Sequence, residues 1–220
     1  GPSSIPRHPL SATMGTPTKT VRDKSMLESW IVETDCELRV LGPPAFTHAV
    51  PALLEVYEEA MRPPPEQLPG RALVMSGHAR YPGFRSVVAF EANTPIGFAY
   101  AFRGAPGQWW HDMVTKALRS RGKQQDARRY LSDPWEIAEV HVRPEAQNRG
   151  IGRNMLHSLC RGREERTAVL STRSGPSAAR HLYHSCGFVT VLEGYSFPGT
   201  PDPPFDIMAA RLPLRVSGVR

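Results

Sequence analysis

The stretch Trp135-Glu136-Ile137-Ala138-Glu139-Val140-His141-Val142-Arg143-Pro144-Glu145-Ala146-Gln147-Asn148-Arg149-Gly150-Ile151-Gly152 decides the fold. Its first half is apolar-rich and reads as a strand over 135–142, and Arg143-Pro144-Glu145-Ala146 reads as a turn. A glycine-punctuated loop then enters a helix whose Met155, Leu156, Leu159 and Cys160 recur on one face. A strand, a loop and a helix in that order let successive backbone N–H groups converge on an anion. Glycine is needed there because a Cβ would keep a phosphate off those amides, and the helix N-terminus adds favourable partial charge.

A glycine loop alone is weak evidence, since Gly-x-Gly also makes ordinary turns. The spacing narrows it. No Gly-Lys-Ser/Thr ending follows, as a Walker loop requires, and the spacing does not fit a dinucleotide fingerprint. No Gly-x-Ser-x-Gly elbow supports a serine hydrolase.

Working outward, residues 1–35 are rich in Ser, Thr, Pro and Lys without an apolar period and predict a flexible arm, its Gly-Pro-Ser-Ser start resembling a cloning remnant. Residues 36–41 predict a strand closed by Gly42-Pro43-Pro44. A helix is expected from near Pro51, and a second over 66–78 that Pro69 and Gly70 interrupt. Strands over 86–90 and 96–102 predict a hairpin around a Glu91–Pro95 turn. Residues 103–134 form a long insertion, with a helix after Gly107 followed by a basic segment. Beyond the motif, a strand over 167–171, a helix over 176–185 and strands over 188–192 and 205–212 complete an α/β pattern, with 214–220 as a tail. One domain over 36–213 is expected, without internal repeats.

Composition adds bounds. The chain has 220 residues with 40% hydrophobic and 22% charged content, typical of a packed domain. Cys36, Cys160 and Cys186 contain no Cys-x-x-Cys pair and read as reduced thiols, and no metal is expected. No run of about 18 apolar residues suits a bilayer and no apolar h-region opens the chain, so a cytoplasmic protein without membrane partner is expected. The formal charge of +6 favours polyanionic partners, of which nucleic acid is one.

Two motifs in order carry a resemblance. Gln147-x-x-Gly150-x-Gly152 resembles the Gln/Arg-x-x-Gly-x-Gly/Ala signature of the GNAT superfamily of N-acetyltransferases. Downstream, Ala179-Arg180-His181-Leu182-Tyr183-His184-Ser185-Cys186-Gly187-Phe188 resembles the family's Ala-x-x-x-Tyr-x-x-x-Gly-Phe helix and turn. The resemblance spans about residues 36–212, is strong over 135–191 and is topological in the N-terminal half. It implies a GNAT fold, a mixed central β-sheet splayed in the middle and flanked by helices, with acetyl-CoA as co-substrate. Gln147, Asn148, Arg149, Gly150, Ile151, Gly152 and Arg153 would take its pyrophosphate, and Val140 and Val142 would border its pantetheine. Many relatives have an asparagine where this chain has Pro176, so that contact is expected to move to Ser174 or Ser177.

The reaction implied is direct attack of an amine on the thioester, which requires one group to take the ammonium proton and another to meet the departing thiolate. Tyr183 matches the family's thiolate donor, although a phenol there could equally be a core aromatic. Glu139, Glu136 and His141 are the base candidates, in that order, and each is also explicable as an ordinary strand residue. Glu139 holds the acidic position of small-molecule relatives, whereas Glu136 has the spacing of histone-acetylating ones. Alternation puts Glu139 and His141 on one sheet face and Glu136 on the other. Trp109, Trp110 and His111 are candidates for the acceptor pocket or for anchoring the insertion.

The expected function is therefore acetyl transfer to a primary amine of a small molecule, by a monomer or homodimer. One alternative keeps the fold but takes aminoacyl-tRNA as donor, on the strength of Arg119, Arg121, Lys123, Arg128 and Arg129. Another is a non-catalytic acyl-CoA-binding domain.

Overall fold

The computed structural model describes Pro9–Leu10 and residues 36–216. Apart from that two-residue strand, the arm expected over 1–35 lies outside the described residues. The chain divides into two compact units, Gly1–Tyr100 with Glu139–Leu159, and Ala101–Ala138 with Cys160–Arg220.

In the first unit β1 (Pro9–Leu10) pairs antiparallel with β2 (Glu37–Leu41), which pairs antiparallel with β3 (Arg85–Glu91). Helix α1 spans Pro43–Met61, so it starts eight residues before the expected Pro51. The two prolines that close β2 also occupy the first helical turn, where a missing N–H costs nothing, and Pro51 is accommodated inside the helix. A 3-10 turn at Pro65–Gln67 leads into α2 (Leu68–His78), whose Pro69 likewise sits in the first turn instead of breaking the helix.

The hairpin to β4 (Thr94–Arg103) turns on two residues, not five. Ala92 and Asn93 both have positive φ, 48° and 66°, the backbone hand that matches strand twist in a two-residue hairpin loop. Strand β5 (Pro134–Val142) contributes its end from Glu139 to this unit, followed by a 3-10 turn at Pro144–Ala146 and α5 (Ile151–Cys160). Leu41, Phe46, Leu53, Phe98, Met155 and Leu156 are among its fully buried side chains.

The second unit holds the insertion as two helices, α3 (Trp109–Ser120) and α4 (Gln124–Leu131), where the sequence suggests one helix and a basic segment. Strand neighbours here run β5, β6 (Thr167–Arg173), β8 (Phe205–Arg211) and β7 (Val189–Tyr195). The β5–β6 pairing is parallel and registers Pro134–Glu136 on Thr167–Val169, and β8 is antiparallel to both β6 and β7. Helix α6 spans Ala178–Ser185, capped by the Ser177 hydroxyl, which accepts from the Arg180 N–H at 3.0 Å.

Val114, Leu118, Ala127 and Leu131 of the insertion pack with Val169, Val191, Leu192 and Ile207 of the strands in one apolar cluster. The expected tail is anchored at its start. Leu214 is buried, and the Arg215 N–H donates to the Cys186 carbonyl at 3.3 Å.

Among the described residues no helix is long and apolar enough to cross a membrane.

Candidate active site

Strand β5 and the loop that follows supply most of the site in the first unit. Arg143 anchors the entry, with its N–H on the Ile96 carbonyl at 2.8 Å and its guanidinium on Glu59 at 2.6 Å. The Gln147 side chain folds back onto the Val142 carbonyl at 3.1 Å. Asn148 and Gly150 then take positive φ, 63° and 77°, so the backbone alternates in hand as an anion-cradling nest requires. Residues 147–150 are exposed, and Arg149 reaches Glu91 at 2.9 Å. Ile151, by contrast, is buried and pins the start of α5.

Near that strand's end Glu139 and His141, two residues apart, share a short Oε2–Nε2 hydrogen bond, as their common parity on one sheet face allows. The other carboxylate oxygen of Glu139 accepts from Arg71 Nη1 of α2 at 2.7 Å. Burial pushes the Glu139 carboxyl up, but the His141 charge and hydrogen bond, then Arg71 and His78, outweigh it and hold the carboxyl below its ordinary range. Around this pair the Tyr57 ring meets His141 edge-on at 5.1 Å and lies under the Arg71 guanidinium at 4.9 Å. His78 Nδ1 is 2.8 Å from the Tyr100 hydroxyl, and burial, then Arg71, keep its pKa low against the pull of Glu139.

Arg71, Tyr57, His78 and Tyr100 escape sequence reasoning. Arg71 offers only a single charge in an apolar helix, and nothing local says that it faces a strand 68 residues away.

Glu136 stands apart from that pair, in the second unit. It is 4% exposed, its Oε1 is buried with no hydrogen-bond partner, and burial alone raises its pKa to about 8. Tyr183 is buried on α6, its ring 5.8 Å from Phe188, and its carbonyl accepts from the Phe188 N–H at 3.0 Å. Gly187, at φ 97°, makes the turn between them.

The serines expected to serve the cofactor are already engaged. Ser174 donates to Asp206 at 2.6 Å, while Ser177 caps α6. Burial works to raise the Asp206 pKa, but Ser174, the Gly194 N–H and the paired Arg180 lower it below the ordinary carboxylate range. Both serines line a pocket of about 710 Å3 with Arg180, His181, His184 and Asp206.

The acceptor candidates separate. Trp109 is 53% exposed and lies against Phe197 at 5.3 Å, Trp110 Nε1 donates to Ser171 at 3.4 Å, and His111 is buried. Two cations of the basic segment have structural partners, Arg121 on the Glu193 carbonyl at 2.8 Å and Lys123 on the Val191 carbonyl at 2.9 Å.

Comparison with known proteins agrees with the two motifs. A model of the acetyltransferase (GNAT) domain matches residues 82–190. A GCN5-like protein acetyltransferase of Mycobacterium tuberculosis is 34% identical over 187 residues, covering 73% of this chain and 90% of the relative. The chain therefore belongs to the GNAT acetyltransferase family and is an acyltransferase by that membership. Among solved structures, ribosomal-protein-S18-alanine N-acetyltransferase from Escherichia coli aligns with a TM-score of 0.53 at 18% identity, covering 84% of this chain and 99% of that one. Ribosomal-protein-alanine N-acetyltransferase from Brucella melitensis aligns with a TM-score of 0.53 at 21% identity, covering 80% and 99%. These likenesses bear on the fold, a mixed sheet flanked by helices.

Proposed function

We propose that the chain transfers an acetyl group from acetyl-CoA to a primary amine, with residues 147–153 as the pyrophosphate cradle and the Glu139–His141 pair as the base. The observation that carries this reading is the hydrogen-bonded carboxylate–imidazole pair on the strand that feeds the loop. Glu139 has both oxygens engaged, one by Arg71 and one by His141, so it orients the imidazole instead of receiving the proton itself. His141 Nδ1 then takes the ammonium proton. The freed amine attacks the thioester carbonyl, the C–S bond breaks, the nitrogen releases its extra proton to solvent as the amide forms, and the departing thiolate gains a proton for which Tyr183 is the donor, resupplied from solvent.

The 34% identical relative is named a protein acetyltransferase, which favours a protein amine over the small-molecule amine expected from the sequence. The aminoacyl-tRNA reading loses support where Arg121 and Lys123 are spent on backbone carbonyls.

Thiol release from acetyl-CoA, measured with a panel of peptides, proteins and small amines, tests the proposal. His141→Gln is expected to lower kcat about 100-fold or more while leaving the acetyl-CoA Kd within about twofold. No acetyl-CoA binding and no thiol release with any acceptor would overturn the reading; binding without turnover across the panel would favour a non-catalytic domain.

A further inference from the structure

Helix α2 is turned against its own apolar pattern. Arg71, Met75 and His78 recur at helical spacing on one side, where Met75 is fully buried, while Leu73 and Val74 are 75% and 44% exposed. A helix held by packing alone would turn its leucine and valine inward and its arginine out. What the inward side gains is polar contact. Arg71 Nη1 donates to Glu139 Oε1 at 2.7 Å, its guanidinium lies over the Tyr57 ring at 4.9 Å, and His78 meets the Tyr100 hydroxyl at 2.8 Å. The Glu139 side chain is 12% exposed, so this contact is made largely out of water.

The groups around the Glu139–His141 pair divide by charge. From α2 come Arg71 and His78, from α1 Tyr57, which packs on both His141 and Arg71, and from β4 Tyr100, which bonds His78. The two phenols supply contacts and hydrogen bonds, not cations. His78 is held below its ordinary range by burial, so at pH 7 it is neutral and Arg71 is the permanent cation at this carboxylate. Burial by itself favours the neutral carboxyl. A Glu139 without its cation would compete with the imidazole for the proton collected from the acceptor.

We infer that Arg71 is a positioning residue for the acyl transfer, holding Glu139 as an oriented anion so that the proton taken from the acceptor stays on the His141 imidazole. This role rests on the acyl-transfer reading, whereas the Arg71–Glu139 contact does not. The hydrogen-bonded pair takes up protons as a unit, and a cation 2.7 Å from one of its oxygens opposes a further proton. Deleting that charge leaves burial and the attraction within the pair unopposed, so proton uptake moves to higher pH. The base would then meet its acceptor already loaded over part of the neutral range.

Thiol release from acetyl-CoA, followed across pH in the wild type, Arg71→Gln and Arg71→Lys, tests the role. The acid limb of kcat/KM is expected about 1 pH unit or more higher in Arg71→Gln and back near the wild-type position in Arg71→Lys, which restores the charge. In a Glu139→Gln background Arg71→Gln should move the limb no further, because Arg71 acts through that carboxylate. A limb unmoved by Arg71→Gln, with at most a lower kcat, is what a merely structural contact gives and overturns the inference, as does an equal movement in the Glu139→Gln background. Histidine 15N NMR of the ligand-free protein repeats the comparison without substrate, the His141 signal being identified by its loss from His141→Gln. Its titration should move to higher pH in Arg71→Gln by the same amount. An unmoved titration strikes the Arg71 role whatever the turnover, whereas a moved titration with no turnover on any acceptor upholds the charge coupling and strikes the transfer reading. Should Arg71→Gln fail to fold, Arg71→Met deletes the charge while keeping a long apolar stem over Tyr57.

Discussion

Glu136 and Glu139 lie three residues apart on one strand and are driven in opposite directions. Desolvation without a partner raises Glu136, whereas His141 and Arg71 overcome desolvation at Glu139 and lower it. The two carboxyls therefore load stability on opposite limbs of the pH axis. Glu136 has a folded pKa above its unfolded value, so its contribution is intact below pH 4.5 and is lost as pH rises toward about 8. Glu136→Gln should consequently gain stability over the wild type at pH 9, on the order of 5 kcal/mol at most, and show no such gain at pH 4, in denaturant titrations at the two pH values. For Glu139 the sign reverses. Its folded pKa is depressed, so its pairing stabilises the fold above the unfolded pKa and that stability fades as pH falls through the folded one. Arg71→Ala should cost about 1–2 kcal/mol at pH 7, allowing for the partial exposure of Arg71, and progressively less in acid.

The loop and the strand edge are legible in different ways. The Gln147–Gly152 spacing announces the loop, and positive φ at Gly150 accounts for one of its glycines. A Cβ at Gly150 meets nothing within 4 Å, so Gly150→Ala acts through backbone conformation alone. The cost of a left-handed alanine, about 1–2 kcal/mol, predicts roughly tenfold weaker acetyl-CoA binding with kcat retained, measurable by titration calorimetry and steady-state kinetics.

The basic segment is different, because its charges suggest a nucleic-acid face, while folding turns Arg121 and Lys123 onto two carbonyls of the terminal strand β7. Unpaired carbonyls on a terminal strand invite another strand. Arg121→Ala with Lys123→Ala is expected to make the protein self-associate, seen as a concentration-dependent mass in light scattering; a monodisperse double variant at unchanged mass would remove this edge-protecting role.

For the chain as a whole, a formal charge of +6 leaves both acetyl-CoA and tRNA as possible polyanionic partners. Salt separates them. A donor held by a few loop amides should lose little affinity between 50 and 200 mM salt, about tenfold or less, whereas a tRNA-using enzyme spanning many phosphates would lose several powers of ten.

Apart from α4, the order of elements along residues 36–216 and the GNAT membership were legible in the sequence alone, as was the glycine spacing of the Gln147–Gly152 loop, because strand periodicity, glycine spacing and the Tyr-x-x-x-Gly-Phe turn are local patterns. Proline was the local signal that misled, since Pro43, Pro44 and Pro69 break a helix interior but suit a first turn, and only the folded chain shows which applies. The roles of the β5 carboxyls were decided by tertiary structure. Whether Glu139 meets Arg71 and His141, and whether the Glu136 Oε1 atom is buried without a partner, depends on side chains brought together from as far as 68 residues away or set by strand parity. Burial and partner charge then set each proton affinity, and neither quantity exists until the chain has folded.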